Sequence, residues 1–195
     1  MEPIADKPAT IHFMKRFRIH IFGASGAGTT TLGRAVADAL AIPHHDTDDY
    51  YWLPTTPPYR QARAVADRLR LMREMFLERS DWVLSGALDG WGEPVVQFFD
   101  LVVFVEVPVD VRLSRLRDRE ARHFGLDAVA SGGWRHRETE EFIEWASHYD
   151  DGSREGRNLV RHLAWLGALT CPVLRIDGTR PVPDMVRDIV AALPR

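Results

Sequence analysis

Eight residues, Gly23-Ala-Ser-Gly-Ala-Gly28-Thr-Thr30, have the types and spacing that phosphate chemistry needs. The glycines of the G-x-x-x-x-G frame let the main chain take positive φ and come close to a ligand. The N–H groups of Gly23, Ala24, Ser25, Gly26, Ala27 and Gly28 can then line a concave nest for anionic oxygens. A helix opening with Thr29, Thr30 and Thr31 aims its unpaired N–H groups and the positive end of its dipole at the same oxygens. Thr30 stands where a hydroxyl would bind Mg²⁺. Thr29 stands where such a loop normally carries a lysine. The motif therefore announces a nucleotide site that must find its positive charge elsewhere.

Of 25 basic residues only Lys7 and Lys15 are lysines, and both precede the first expected strand. A replacement cation must be an arginine, which grips phosphate bidentately. Arg112, Arg115, Arg119 and Arg122 recur at helical spacing and predict one basic stripe on a helix. Arg115 and Arg119 are the best placed to take the lysine's task. A solvated face paired with Asp118 and Glu120 is the alternative.

Acceptor chemistry is expected after the second strand, where His44-His45-Asp46-Thr-Asp48-Asp49 falls. Carboxylates two apart can hold hydrated Mg²⁺ or take a proton from a hydroxyl. This makes Asp46 and Asp48 alternative bases, and Asp46 a metal-water ligand. The histidines lack the spacing of a zinc site and read as packing residues. Tyr50 to Tyr59 is rich in aromatics and proline. It forms either a pocket wall or a small satellite core. Ser85, Gly86 and Asp89 follow the third strand and are candidate acceptor contacts. Residues 123–156 read as a lid carrying Arg135 and Arg137. Gly178, Thr179 and Arg180, after the last strand, are placed to border a purine.

These groups need elements to hold them. Five β-rich segments are expected at 18–22, 43–46, 82–86, 101–107 and 173–177, with helices at 30–41, 60–79, 110–122, 137–147 and 157–168 and a closing helix from Asp184. The run Leu101-Val-Val-Phe-Val is nearly all apolar, as in a parallel strand covered on both faces. Such alternation predicts an α/β fold with a five-stranded parallel sheet, helices on both faces and ligands at the strands' carboxyl ends. At 195 residues and 45% hydrophobic content, one domain over 16–195 after a loose tail of 1–15 is expected. A net charge of −3 favours no nucleic acid. The single cysteine, Cys171, fits a reducing cytoplasm and reads as a small buried residue. No apolar run approaches membrane-spanning length.

The order of these parts resembles the P-loop small-molecule and nucleotide kinases: adenylate, shikimate and gluconate kinases and the topology-modulation type. Gly23–Thr30 matches their phosphate loop, and Asp46-Thr-Asp48 resembles the D-x-D that serves metal and acceptor. Trp82-Val-Leu-Ser-Gly86 resembles their third strand. Val107-Pro108 with Arg112, Arg115 and Arg119 resembles the segment carrying ATP-contacting arginines, and Asp177-Gly-Thr-Arg-Pro181 the segment bordering adenine. The resemblance implies a three-layer P-loop NTPase fold with a small lid. It also implies use of ATP and Mg²⁺, a small-molecule or nucleotide acceptor, and a monomer or homodimer. Thr29 departs from the family pattern, although bacterial phosphoribulokinases carry a similar lysine-free loop and are active. A non-catalytic nucleotide-binding module is the alternative.

Overall fold

The computed structural model describes residues 17–153 and 155–193, so the expected tail over 1–15, with Lys7 and Lys15, lies outside the described residues. Five strands, β1 (Phe17–Gly23), β2 (His44–Asp46), β3 (Asp81–Ser85), β4 (Leu101–Glu106) and β5 (Val173–Asp177), form one all-parallel sheet. Their order is β2-β3-β1-β4-β5. β1 sits centrally between β3 and β4; the chain leaves it for the β2 edge and then returns past it to β4, so the connections diverge on either side of β1. That is where open α/β sheets gather ligands.

Eight α-helices connect and flank the strands: α1 (Thr29–Leu40), α2 (Thr47–Tyr51), α3 (Val65–Met72), α4 (Val109–Phe124), α5 (Leu126–Val129), α6 (His136–Ser147), α7 (Leu159–Ala168) and α8 (Val182–Ala192). Side chains alternate across a strand, so β1 feeds two cores. Ile19 and Ile21 join Val83, Val103 and Val105 beneath Leu32 and Val36 of α1 and Met185 and Ile189 of α8. Phe22 joins Leu84, Val102 and Phe104 on the other face, with Met72, Phe76 and the half-buried Trp165.

The helix expected over 60–79 is interrupted. Residues 61–63 instead pair back on the aromatic segment, with Leu53 N–H donating to Gln61 O (2.9 Å) and Arg63 N–H to Tyr51 O (2.7 Å). The helix starts only at Val65 and its last turn, Arg73–Leu77, widens to a π-helix. Cys171 is half-buried, more open than expected, and packs against the second core. No helix among the described residues is long and apolar enough to cross a membrane.

His20 is the polar exception inside the second core. It is 1% exposed, stacks on Phe99 (4.8 Å between centroids), and places Nδ1 3.1 Å from Leu84 O. Burial drives its pKa down from 6.5 to about 4. Below pH 6.5 the unfolded chain binds a proton that the native ring refuses. Stability is therefore lost as pH falls from about 6.5 towards 4, by roughly 3 kcal/mol in all for this group. We expect His20→Asn, which keeps a donor for Leu84 O, to lower stability at pH 7 and flatten its acid dependence. Urea unfolding of both proteins at pH 7 and pH 5 checks this. Equal slopes would mean that His20 is not the buried neutral group described.

Candidate active site

The carboxyl end of β1 runs directly into the glycine frame, where Gly23 and Gly26 meet tight neighbours. A Cβ on Gly23 would lie 2.5 Å from Val105 O on β4. Gly26 holds φ +82°, and a Cβ there would lie 2.6 Å from Arg112 O on α4. Gly28, at φ 90°, turns the chain into α1. Ala27 N–H closes the bend on Ala24 O at 3.0 Å. α1 has no side-chain hydrogen bond at its N-cap and no acidic residue in its first turn. Its first N–H groups are therefore left to a ligand, and an anion suits them. Thr31 is exposed on the first turn.

Beside this nest stands Asp46, at the carboxyl end of β2. Its Oδ2 accepts from Thr30 Oγ1 (2.7 Å) and Ser85 Oγ (3.2 Å), and its Oδ1 from the N–H of Asp48 (3.0 Å). Three donors thus occupy most of its roughly four lone-pair positions. Ser85 is fully buried, within 2.9 Å of His44 Nε2. Its expected contact with an acceptor is therefore corrected: it orients Asp46. Gly86 leaves β3 at φ +105°, and a Cβ there would overlap Thr47 Oγ1, so glycine lets the start of α2 approach.

Asp48 is exposed in the first turn of α2. Desolvation, followed by the charge of Asp46, raises its pKa, while Arg157 and Arg119 oppose the rise. Tyr59 is half-exposed, and its pKa is raised by burial and then by Asp48. Trp52 and Tyr59 meet edge to face at 6.0 Å. Tyr50 and Trp91, by contrast, belong to the second core. Arg60 forms two 3.0 Å hydrogen bonds to Glu138, linking the aromatic loop to α6.

Asp89 was expected to touch an acceptor, yet it is already engaged. Its Oδ1 lies 2.9 Å from His162 Nε2 and its Oδ2 3.6 Å from Arg157 Nε. Desolvation would raise the Asp89 pKa, but hydrogen bonding and charge from His162, with the charge of Arg157, overcome it and lower it.

The arginine stripe expected on α4 is not one surface. Arg112 is fully buried, donating to Val107 O (3.0 Å) and pairing with Asp150. Arg115 donates to Ala27 O (3.4 Å) and Gly178 O (3.1 Å), tying the phosphate loop to the turn after β5. Arg119 points out, its side chain 55% exposed, and pairs with Glu120 at 3.4 Å. Arg135 pairs with Glu120 of α4 and with Glu138, and Arg137 pairs with Glu141, so both are engaged. After β5, Thr179 donates N–H and Oγ1 to Asp177, while Arg180 turns away to Asp188 (2.7 Å).

Sequence reasoning passed over one residue. Arg157, just before α7, puts Nη1 3.4 Å from Ser25 Oγ in the phosphate loop. It also borders Asp89 and Trp145. The only local signal is Gly156-Arg-Asn158 ahead of an apolar helix, with Asn158 Oδ1 capping the N–H of Arg161 at 2.9 Å.

The sheet order and this loop can be set beside known proteins. No protein-family model matches the chain. It is 42% identical over 168 residues to an uncharacterized protein of Bacillus subtilis, YqaC, spanning 86% of this chain and 92% of that one. It is 28% identical over 143 residues to a cytidylate kinase of Haloarcula marismortui, spanning 68% of this chain and 72% of that one. Among solved structures, a gluconokinase from Sinorhizobium meliloti superposes with a TM-score of 0.54 at 18% identity, over 90% of both chains. These likenesses support a relationship to the P-loop nucleotide and small-molecule kinases. A shikimate kinase from Acinetobacter baumannii, determined in complex with shikimate, shares the fold with a TM-score of 0.51 at 15% identity, over 90% of this chain and 91% of that one. The chain has the expected five-stranded parallel α/β architecture, the fold of these kinases.

Proposed function

We propose that this protein is an ATP-dependent phosphotransferase acting on a small-molecule or nucleotide hydroxyl or phosphate acceptor. The observation that carries the reading is the uncapped glycine nest of residues 23–28, with the Thr30 hydroxyl 2.7 Å from the Asp46 carboxylate beside it. An anion cradle and an oxygen-only metal flank thus share one end of the sheet.

The residues fit Mg²⁺. Among the described residues no group of three or more His, Cys, Asp and Glu side chains is arranged to hold a metal. That agrees with an ion that takes most of its ligands from phosphate and water. Thr30 and, through water, Asp46 are the groups that would hold it; when bound, Mg²⁺ neutralises phosphate charge and orients the transferring group.

The chain's own residues then have separable tasks. The loop amides bind the β- and γ-phosphates. Asp46 fixes Thr30 and keeps one acceptor position open for metal-bound water. Asp48 is the carboxylate left to accept a proton. With a hydroxyl acceptor, the acceptor oxygen bonds to the γ-phosphorus as its proton passes to Asp48. The bond from that phosphorus to the β,γ-bridging oxygen breaks, and its electron pair leaves with ADP. The charge of Arg119 reaches Asp48 and favours its ionised form. Arg115 and the Gly178–Thr179 turn border the base.

Release of ADP across a panel of sugar, shikimate-like, nucleoside and nucleoside monophosphate acceptors tests the reading. We expect turnover with one acceptor class well above the acceptor-free rate. Nucleotide binding without turnover on any acceptor would favour the alternative of a non-catalytic nucleotide-binding module, which Thr29 alone motivates.

A further inference from the structure

We infer that Arg157 supplies, from the far side of the site, the positive charge that the phosphate loop lacks at Thr29. The inference deepens the proposed function and rests on it.

A triphosphate in the nest would gather charge on its β- and γ-oxygens, most of all on the bridging oxygen as its bond to the γ-phosphorus breaks. Main-chain amides and Mg²⁺ meet part of that charge, and a fixed side-chain cation stabilises the rest. Arg112 is fully buried and engaged by Val107 O and Asp150. Arg115 spends both terminal nitrogens on the carbonyls of Ala27 and Gly178, which places it on the loop's outer wall. Arg119 extends into solvent beside Glu120.

Arg157 differs from all three. Its Nη1 reaches Ser25, the residue between Ala24 and Gly26 at the crest of the nest. Its Nε is buried and has no hydrogen-bond partner among the described residues; Asp89 Oδ2, at 3.6 Å, is too distant to accept one. The guanidinium therefore arrives at the phosphate loop with a donor unspent, in a place where leaving it so is costly. Its charge also acts on Asp48, so one side chain borders both the phosphate loop and the acceptor carboxylate.

The position is held rather than incidental. Gly156 takes φ +92° immediately before it. Asn158 immediately after it caps α7, and Leu159 N–H donates to Tyr149 O at 2.9 Å. Asp89 serves as the counter-charge: His162 bridges it to Tyr149, whose hydroxyl lies 2.7 Å from Nδ1. A polyphosphate, more highly charged than Asp89 and already bound by the nest, would draw the guanidinium to itself. Arg157 transfers no proton in this role.

Calorimetric titration of wild type, Arg157→Gln, Arg157→Lys and Thr29→Lys/Arg157→Gln with Mg²⁺–ATP and with AMP tests the inference. We expect Arg157→Gln to weaken ATP binding about 10- to 100-fold, the range of one lost charge-assisted hydrogen-bonding group. AMP affinity should change by less than about 3-fold. Arg157→Lys should retain much of the ATP affinity, and adding Thr29→Lys to Arg157→Gln should restore it. Circular dichroism on each variant reports folding, and the Lys variant keeps the test open if Gln unfolds the chain. Undiminished ATP binding by Arg157→Gln, or an equal loss for ATP and AMP, would overturn the inference while leaving the proposed function standing. A wild-type chain that binds neither nucleotide overturns both.

Discussion

Asp46→Asn is expected to cost about 1,000-fold in turnover, the upper range for removing one preorganised electrostatic group from an active site. The substitution is chosen because asparagine keeps an oxygen to accept from Asp48 N–H, while its NH2 takes the place of Oδ2, where the hydroxyls of Thr30 and Ser85 can turn to accept from it. The cap of α2 and the local fold should survive, and thermal unfolding should move by only a few degrees. What disappears is the negative charge that would hold metal-bound water beside Thr30. Activity at saturating Mg²⁺ and ATP, measured beside nucleotide affinity without metal, separates the effects. Turnover should collapse while metal-free binding stays within a few-fold of wild type. Retention of more than a tenth of the activity would remove Asp46 from the account.

Gly26→Val is the second large effect, and it strikes binding rather than chemistry. Gly26 sits at φ +82°, and an added Cβ would meet Arg112 O at 2.6 Å. Arg112 is buried and tethered, so its backbone has little room to yield. A strained φ of this kind costs about 1–3 kcal/mol, and the loop can relieve it only by leaving the bend that forms the nest. Nucleotide affinity should fall by about 10- to 100-fold, at 1.4 kcal/mol per tenfold. A ligand at 100 times its dissociation constant stabilises a fold by about 2.7 kcal/mol, and the variant should lose most of that gain. Thermal unfolding with and without ADP reads this directly. A variant that ADP stabilises as strongly as wild type would show that the nest is not the phosphate site.

What the sequence made legible follows from how local each signal is. The strand, glycine loop and helix of β1 and α1 were readable because glycine spacing, the preceding β-rich segment and the following helical repeat all lie within about twenty residues. The apolar run of β4 announced a strand covered on both faces, and it is. The arginines of α4 were misread because charge in a sequence looks the same whether solvated or buried. Only the packed structure distinguishes Arg112, engaged by a carbonyl and a carboxylate, from Arg119 in solvent. Ser85 was misassigned for a similar reason: the end of a central strand offers no sign of which side chains remain covered. The start of α3 was lost to pairing between residues 51–53 and 61–63, a tertiary preference that overrides helix propensity. Arg157 lay furthest from view, since it meets Ser25 across 132 residues of chain and belongs to no motif.

Titration of wild-type protein with Mg²⁺–ATP, followed by heat, tests most directly whether the lysine-free loop closes on a polyphosphate. One nucleotide should bind per chain, with affinity falling in the order triphosphate, diphosphate, monophosphate, because the loop amides and the surrounding cations read phosphate charge. Absence of binding by any nucleotide at millimolar concentration, or equal affinity for ATP and adenosine, would contradict the account at its root.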